Sequence, residues 1–107
     1  MPVRSVRRRY LAFKVNSGSQ VSEACLWEAA ERQIRLLYGV VGSYQADLKL
    51  IEYSPETMRG IFRCSHLHII QTRAALAHIA DIRGAQASIH VERVSGTIKT
   101  LRRKAGG

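Results

Sequence analysis

Cysteine is scarce in this chain of 107 residues, with Cys25 and Cys64 its only thiols. So few cannot build a disulfide framework, and both are expected to be buried and reduced. No apolar run approaches the roughly 20 residues that a membrane-spanning helix needs. Residues 1–9 lack the apolar centre of a signal peptide, so a cytoplasmic protein with no membrane partner is expected. Internal repeats and low-complexity linkers are missing as well. There is no Ser/His/Asp order, no paired-carboxylate motif and no Gly-Lys phosphate loop, and the chain is therefore read as having no catalytic site of its own. What remains, with 46% apolar and 23% charged residues, is the composition of an ordinary globular protein. Its length makes one domain of residues 1–107.

Acidic residues are the other shortage: eight against seventeen lysines and arginines, for a formal charge of +9. The excess sits at the ends. Residues 1–14 carry Arg4, Arg7, Arg8, Arg9 and Lys14 without an acid, and residues 99–107 carry Lys99, Arg102, Arg103 and Lys104, again without one. Between them eight basic residues balance eight acidic ones. A neutral middle thus lies between cationic termini, with the fold expected over residues 9–95 and basic ends at 1–8 and 96–107, a distribution that points to a polyanionic partner, nucleic acid before membrane. Arginine outnumbers lysine thirteen to four, and its planar fork grips phosphate oxygens in pairs.

Periodicity gives the elements. "RYLAFKV" (residues 9–15) alternates as a half-buried strand does. From about Ser22 the residues Leu26, Ala30, Ile34 and Leu37 recur at helical spacing, with Gly39 as the expected stop. "YQADLKLIEY" (44–53), the turn "SPET" and "MRGIFRCS" (58–65) read as a β-hairpin. Ser65 is placed to cap a second helix bearing Ile69, Thr72, Leu76 and Ile79, with Gly84 soon after its end. "AQASIHVERV" (85–94) alternates as a last strand. The order βαββαβ predicts an α+β fold of the ferredoxin-like, RRM-like split βαβ type: a four-stranded antiparallel sheet with two helices on one face. In that topology the first and last strands are antiparallel neighbours, so the two basic ends converge into one patch.

The strand "RYLAFKV", the arm "GIFRC", the helix "TRAALAHI", the "IRG" turn and above all "VSGTIKTLRRK" together resemble the ribonuclease P protein component 2 family, small archaeal subunits with eukaryotic counterparts. The resemblance implies an RNA-binding accessory subunit of ribonuclease P, in which the RNA removes 5′ leaders from precursor tRNA and the metal-dependent chemistry, with Mg2+, belongs to the RNA. It also implies a second, barrel-like protein subunit as partner, and no cofactor bound by this chain. The ends of the chain are short for that family.

The residues expected to contact RNA are Arg7, Arg8, Arg9, Lys14, Arg63, Lys99, Arg102, Arg103 and Lys104; the plainer reading of such ends is solvated charge. Alternation turns Phe13 and Phe62 inward with Leu11 and Cys64, and leaves Tyr10, Ala12, Lys14, Ile61 and Arg63 outward. Only Tyr10 is then available to stack on a base, so recognition by shape and backbone is expected. "GVVG" (39–42) resembles a KH loop weakly, since its middle residues are apolar. "CSHLH" (64–68) lacks the second ligand cluster of familiar zinc sites. A protein nuclease using His66 and His90 as acid and base stands as a competing reading. So does an interaction module without RNA binding, in which Trp27 and Tyr38 serve either the core or an interface.

Overall fold

The computed structural model describes residues 7–99 and 101. Strand β1 (Arg8–Ser17) leads into helix α1 (Glu23–Ala46), strands β2 (Lys49–Ser54) and β3 (Arg59–Ser65), a 3-10 turn (His66–His68), helix α2 (Ile69–Ala77), and strands β4 (Asp81–Ile82) and β5 (Ala85–Ser95). The strands form one antiparallel sheet in the order β2-β3-β1-β5-β4.

Helix α1 begins where the sequence supplies a cap. The Ser22 hydroxyl accepts from the Cys25 backbone N–H at 3.3 Å, and Glu23 in the first turn suits the positive end of the helix dipole. Leu26, Ala30 and Ile34, four apart, are buried against the sheet. Glu28 with Arg32 and Glu31 with Arg35 pair along the solvent side. Gly39, at φ +75°, kinks the helix without ending it, and helical residues continue to Ala46. Tyr44, Gln45 and Ala46, expected as the start of a strand, are therefore helical, and "GVVG" belongs to the kinked helix and not to a phosphate-gripping loop. Asp47, in a left-handed conformation, closes it.

The four-stranded ferredoxin-like sheet is corrected by a fifth strand. After α2 the chain makes a tight reversal through Arg83 and Gly84, both at positive φ, with the Asp81 carboxylate accepting from the Gly84 N–H at 3.3 Å. Asp81 and Ile82 pair there with Gln86 and Ala85. Two residues are too few to show alternation, which is why this strand is invisible in the pattern of the sequence. The α+β class is retained.

Leu11, Phe13, Val15, Phe62, Cys64, Ala87 and Ile89 line the inner face of the sheet, against Leu26, Ala30, Ile34, Ala75 and Leu76 of the helices. Phe13 stacks on Phe62 with ring centroids 4.5 Å apart and on Tyr53 at 6.1 Å. The Tyr53 hydroxyl donates to the Val21 carbonyl at 2.7 Å, tying β2 to the approach of α1. Gly60 is needed at this crowded point: a Cβ there would clash with the Glu52 carbonyl and stand 2.9 Å from Phe13 Cζ. Trp27 is half-buried against this core, as the packing reading expected, whereas Tyr38 is exposed. Cys64 is buried and Cys25 half-buried, both as free thiols. Burial pushes the Cys64 thiol up from its ordinary pKa, partly offset by the Thr72 hydroxyl beside it.

Candidate nucleic-acid interface

The outer face is built in cross-strand rows. Tyr10 of β1 stands between Arg63 of β3 and Ser95 of β5, Ala12 between Ile61 and Arg93, and Lys14 between Arg59 and His90. Lys49 of β2 lies opposite Arg63. A register shift between Ala12 and Phe13 lets Glu92 bulge out of the β1–β5 ladder, from where it pairs with Arg59 at 2.8 Å.

The pairing of Tyr10 with Ser95 sets the start of β1 beside the end of β5. Arg7 and Arg8 are exposed there and Arg9 half-buried. Arg7 is held by its backbone, since its carbonyl accepts from the His66 N–H at 2.9 Å and lies 2.9 Å from His66 Nδ1. Arg8 pairs with Asp47 at 3.4 Å, both partners well exposed, a contact worth little in water. Arg9 reaches across to the last strand's exit: a Cβ built on Gly96 would sit 3.2 Å from Arg9 Nη1. Lys99 is exposed on the segment that follows. Arg63 is half-buried, and its Nε is enclosed with no protein acceptor, an arrangement that favours the arrival of an anion.

The structure thus gathers Arg7, Arg8, Arg9 and Arg63 at one end of the sheet, beside the start of the segment that carries Lys99. Lys14 stands four residues along β1 from Tyr10, about 13 Å away at strand spacing, in the row with Arg59 and His90. Arg102, Arg103 and Lys104 lie outside the described residues. Lys49 escapes the sequence reading: it sits at the front of an apolar run, and only the register with Arg63 marks it as part of the cluster.

The face between these cations is not open. Residues 98, 99 and 101 are helical and fold over it, and Leu101 is 2% exposed against Ala12 and Ile61, themselves 8% and 6% exposed, with Tyr10, Ile51 and Ile98 around them. Ala12 and Ile61 lie on the outer face, as expected, but are covered by this segment, and Tyr10 is half-buried as part of the same packing. A stacking platform for bases is thereby closed.

A second surface lies on the helix layer. Beyond the buried stretch of α1, Leu36 and Val40 are each 73% exposed and Tyr44 is 85% exposed, with Val41 beside them; Leu67 and Ile70 at the start of α2 are exposed as well. Isolated apolar residues at a surface mean little, but this many in one short segment mark a contact site. Among the described residues no three of His, Cys, Asp and Glu are grouped as metal ligands. Ser65, expected to cap the second helix, caps instead the 3-10 turn ahead of it, its hydroxyl accepting from the Leu67 N–H at 3.3 Å, and α2 itself starts after His68 without a side-chain cap. His66 lies by Arg7, whereas His90 stands in the Lys14 row, so the two histidines of the nuclease reading occupy different rows of the sheet. No helix among the described residues is long and apolar enough to cross a membrane.

Comparison with known proteins agrees with this picture. The model of the Rpp14/Pop5 family matches residues 9–106. The chain is 38% identical to ribonuclease P protein component 2 of Pyrococcus furiosus, over 92% of this chain and 82% of that one. It is 34% identical to the protein of that name from Methanosarcina mazei, over 97% and 88%. A chain in the cryo-EM structure of yeast ribonuclease MRP has the same fold, with a TM-score of 0.72 at 8% identity, over 98% of this chain and 95% of that one. The matched residues take in the strands and helices described above from Arg9 onward, together with the basic C-terminal run, and the chain belongs to the Rpp14/Pop5 family.

Proposed function

We propose that this chain is an accessory protein subunit of ribonuclease P, one that binds the RNA of the enzyme and supports it in removing 5′ leaders from precursor tRNA. The observation that carries the reading is the antiparallel pairing of β1 with β5, which brings the start of one basic end of the chain to the other. Clustered cations displace counterions from a phosphate backbone together, and arginine adds paired hydrogen bonds. The chain itself supplies binding and positioning; Mg2+ in this reading is held at the RNA. Precursor tRNA meets the chain within the assembled particle, and an archaeal, cytoplasmic setting is part of the same proposal.

The exposed apolar segment on the helices supports a protein partner, which we assign to the second, barrel-like subunit of the enzyme. This segment lies on the helix layer and borders the start of β1, where Arg8 pairs with Asp47 at the end of α1, so that one molecule meets RNA with its sheet and protein with its helices.

Purification of the tagged protein from its own cells, with sequencing of the RNA and identification of the proteins that come with it, tests the reading. One dominant structured RNA together with precursor-tRNA cleavage is expected. A protein partner with no RNA would instead favour an interaction module in which the basic ends serve solubility. Replacing Arg102, Arg103 and Lys104 by Ala is expected to weaken RNA binding and flatten its dependence on salt, by about one unit of log–log slope for each phosphate that is no longer gripped.

A further inference from the structure

Where β4 stops, the sheet has an open edge. Asp81 and Ile82 pair only with Gln86 and Ala85 of β5, and the Ala87 N–H donates to the Ala80 carbonyl at 3.1 Å. From Ser88 to Val94 nothing among the described residues pairs with β5 on the side away from β1. Successive residues of a strand turn their backbone groups to opposite edges, so Ile89 and Val91 follow Ala87 and point outward. The other side of the ladder agrees: Val15, opposite Ile89, sends its N–H to the Met58 carbonyl at 2.8 Å, away from β5.

The side chains give this edge two unlike sides. Toward the helices Ile89 is buried, but Val91 is only half-buried and Val94 is 37% exposed. On the outer face His90 and Arg93 are exposed, in the rows of Lys14 and Ala12. Glu92 is answered by Arg59 at 2.8 Å, whereas among the described residues neither Arg93 nor Lys14 has an ion-pair partner. The edge is therefore apolar toward the helices and cationic on the outer face.

We propose that the open edge of β5 takes up an extended segment of a protein partner as an added antiparallel strand, with apolar side chains toward the helices and acidic ones on the outer face. Unpaired N–H and C=O groups in a row are a template for such pairing. Main-chain bonds then give affinity, and alternate side chains give specificity. Every pairing in this sheet is antiparallel, and an antiparallel newcomer continues the line of β4. In that geometry the residues opposite Ile89 and Val91 exchange both backbone bonds with them and share their side of the sheet. Apolar side chains at those positions pack on Val91 and Val94, and acids at the alternate positions meet Arg93 and Lys14. A second copy of this chain would bring cations in place of those acids. The contact uses other residues than the exposed segment of α1, and it does not depend on the RNA reading.

The test uses the full chain and a short fluorescein-labelled peptide in which valine and glutamate alternate. Methyl groups on its glutamate nitrogens block one edge of the peptide and leave free the valine N–H groups that face Ile89 and Val91. Followed by anisotropy, this peptide is expected to bind about tenfold more tightly than the isomer methylated on its valine nitrogens, and to slow hydrogen exchange at the Ile89 and Val91 amides. Lysine in place of glutamate is expected to weaken it by a similar factor. Val91→Pro removes one outward donor at a place where an edge strand tolerates proline, and should lose about tenfold in peptide affinity while still melting cooperatively. Should it not, Arg93→Glu carries the comparison, since it should shift the preference from the glutamate peptide toward the lysine one. Equal binding of the two methylated isomers, or none by either, would overturn the added strand. Amides at Ile89 and Val91 that exchange slowly in the free chain, or that a transcript of ribonuclease P RNA protects and the peptide does not, would give the edge to the fold or to the RNA and overturn it. Dimerisation in sedimentation that Val91→Pro abolishes would give it to a second copy and overturn it too.

Discussion

The two faces of the one sheet are covered by different means. On the inner face two helices close sixteen buried residues, among those described, into a single core. On the outer face a few residues of the C-terminal segment bury three, and cations stand at the margins. Strand alternation hands each face a similar number of side chains, so the contrast comes from what lies on top. The inner face holds the fold together; the outer face, freed from that work, presents charge. The same division places Lys14, Lys49 and Arg63 on the side of the sheet away from the main core, where a substitution on one side leaves the other largely alone.

Thiol chemistry gives the largest expected difference. Cys64 on the inner face is fully buried and Cys25 is half-buried at the start of α1. Alkylation of Cys25 should proceed in the native protein, while Cys64 should react only through unfolding, on the order of a thousandfold more slowly or less. The sign of its pH dependence follows from the raised pKa. The fold favours the protonated thiol, so this contribution to stability is intact below the ordinary thiol range and is lost as pH rises through the higher folded value. Equal labelling rates, read by mass spectrometry, would break the distinction between the faces.

Side-chain deletion tests the same contrast in stability. Phe62→Ala removes a ring stacked on Phe13 from the centre of the core and should cost about 3–5 kcal/mol in urea unfolding. Leu101→Ala should cost about 2 kcal/mol, the low end for leucine, because a site on the outside can relax into the gap. A cost for Leu101 equal to that of Phe62 would mean that the outer face is a second core.

Much of this division is legible in the sequence, and the parts that are not have physical reasons. The alternation of Leu11, Phe13 and Val15 names the inner face, and the two basic ends name a composite patch once β1 and β5 are neighbours. The cover on the outer face is not legible, because Ile98 and Leu101 sit among cations and show too short a helical period to separate from a charged tail. Gly39 reads as a helix stop because glycine most often is one; here it kinks the chain and about two further turns follow. Lys49 needs the register of β2 on β3, which a bulge between Leu50 and Glu52 shifts, and no one-dimensional pattern carries that.

Within α1 the contrast recurs, and it yields a smaller effect. Gly39 takes φ +75°, where a side chain is strained although no neighbouring atom stands within 4 Å. Gly39→Ala should therefore cost about 1 kcal/mol through backbone strain alone. A larger loss in thermal unfolding would show that the segment after the kink is packed more firmly than its exposure indicates.

The smallest expected effect on stability is also the most informative about partners. Leu26, Ala30 and Ile34, before the kink, are buried, whereas Val40, Val41 and Tyr44, after it, face solvent. Side chains exposed to that degree lose almost no water on folding, so Val40→Ser and Tyr44→Ser should each shift urea unfolding by no more than about 0.5 kcal/mol. Their apolar surface leaves water only when a second protein covers it, and removing it should weaken that association by several-fold or more while RNA binding through the outer face of the sheet is unchanged. Loss of RNA affinity in these variants would instead join the two layers into one site, and the separation of sheet from helices as binding surfaces would have to be given up.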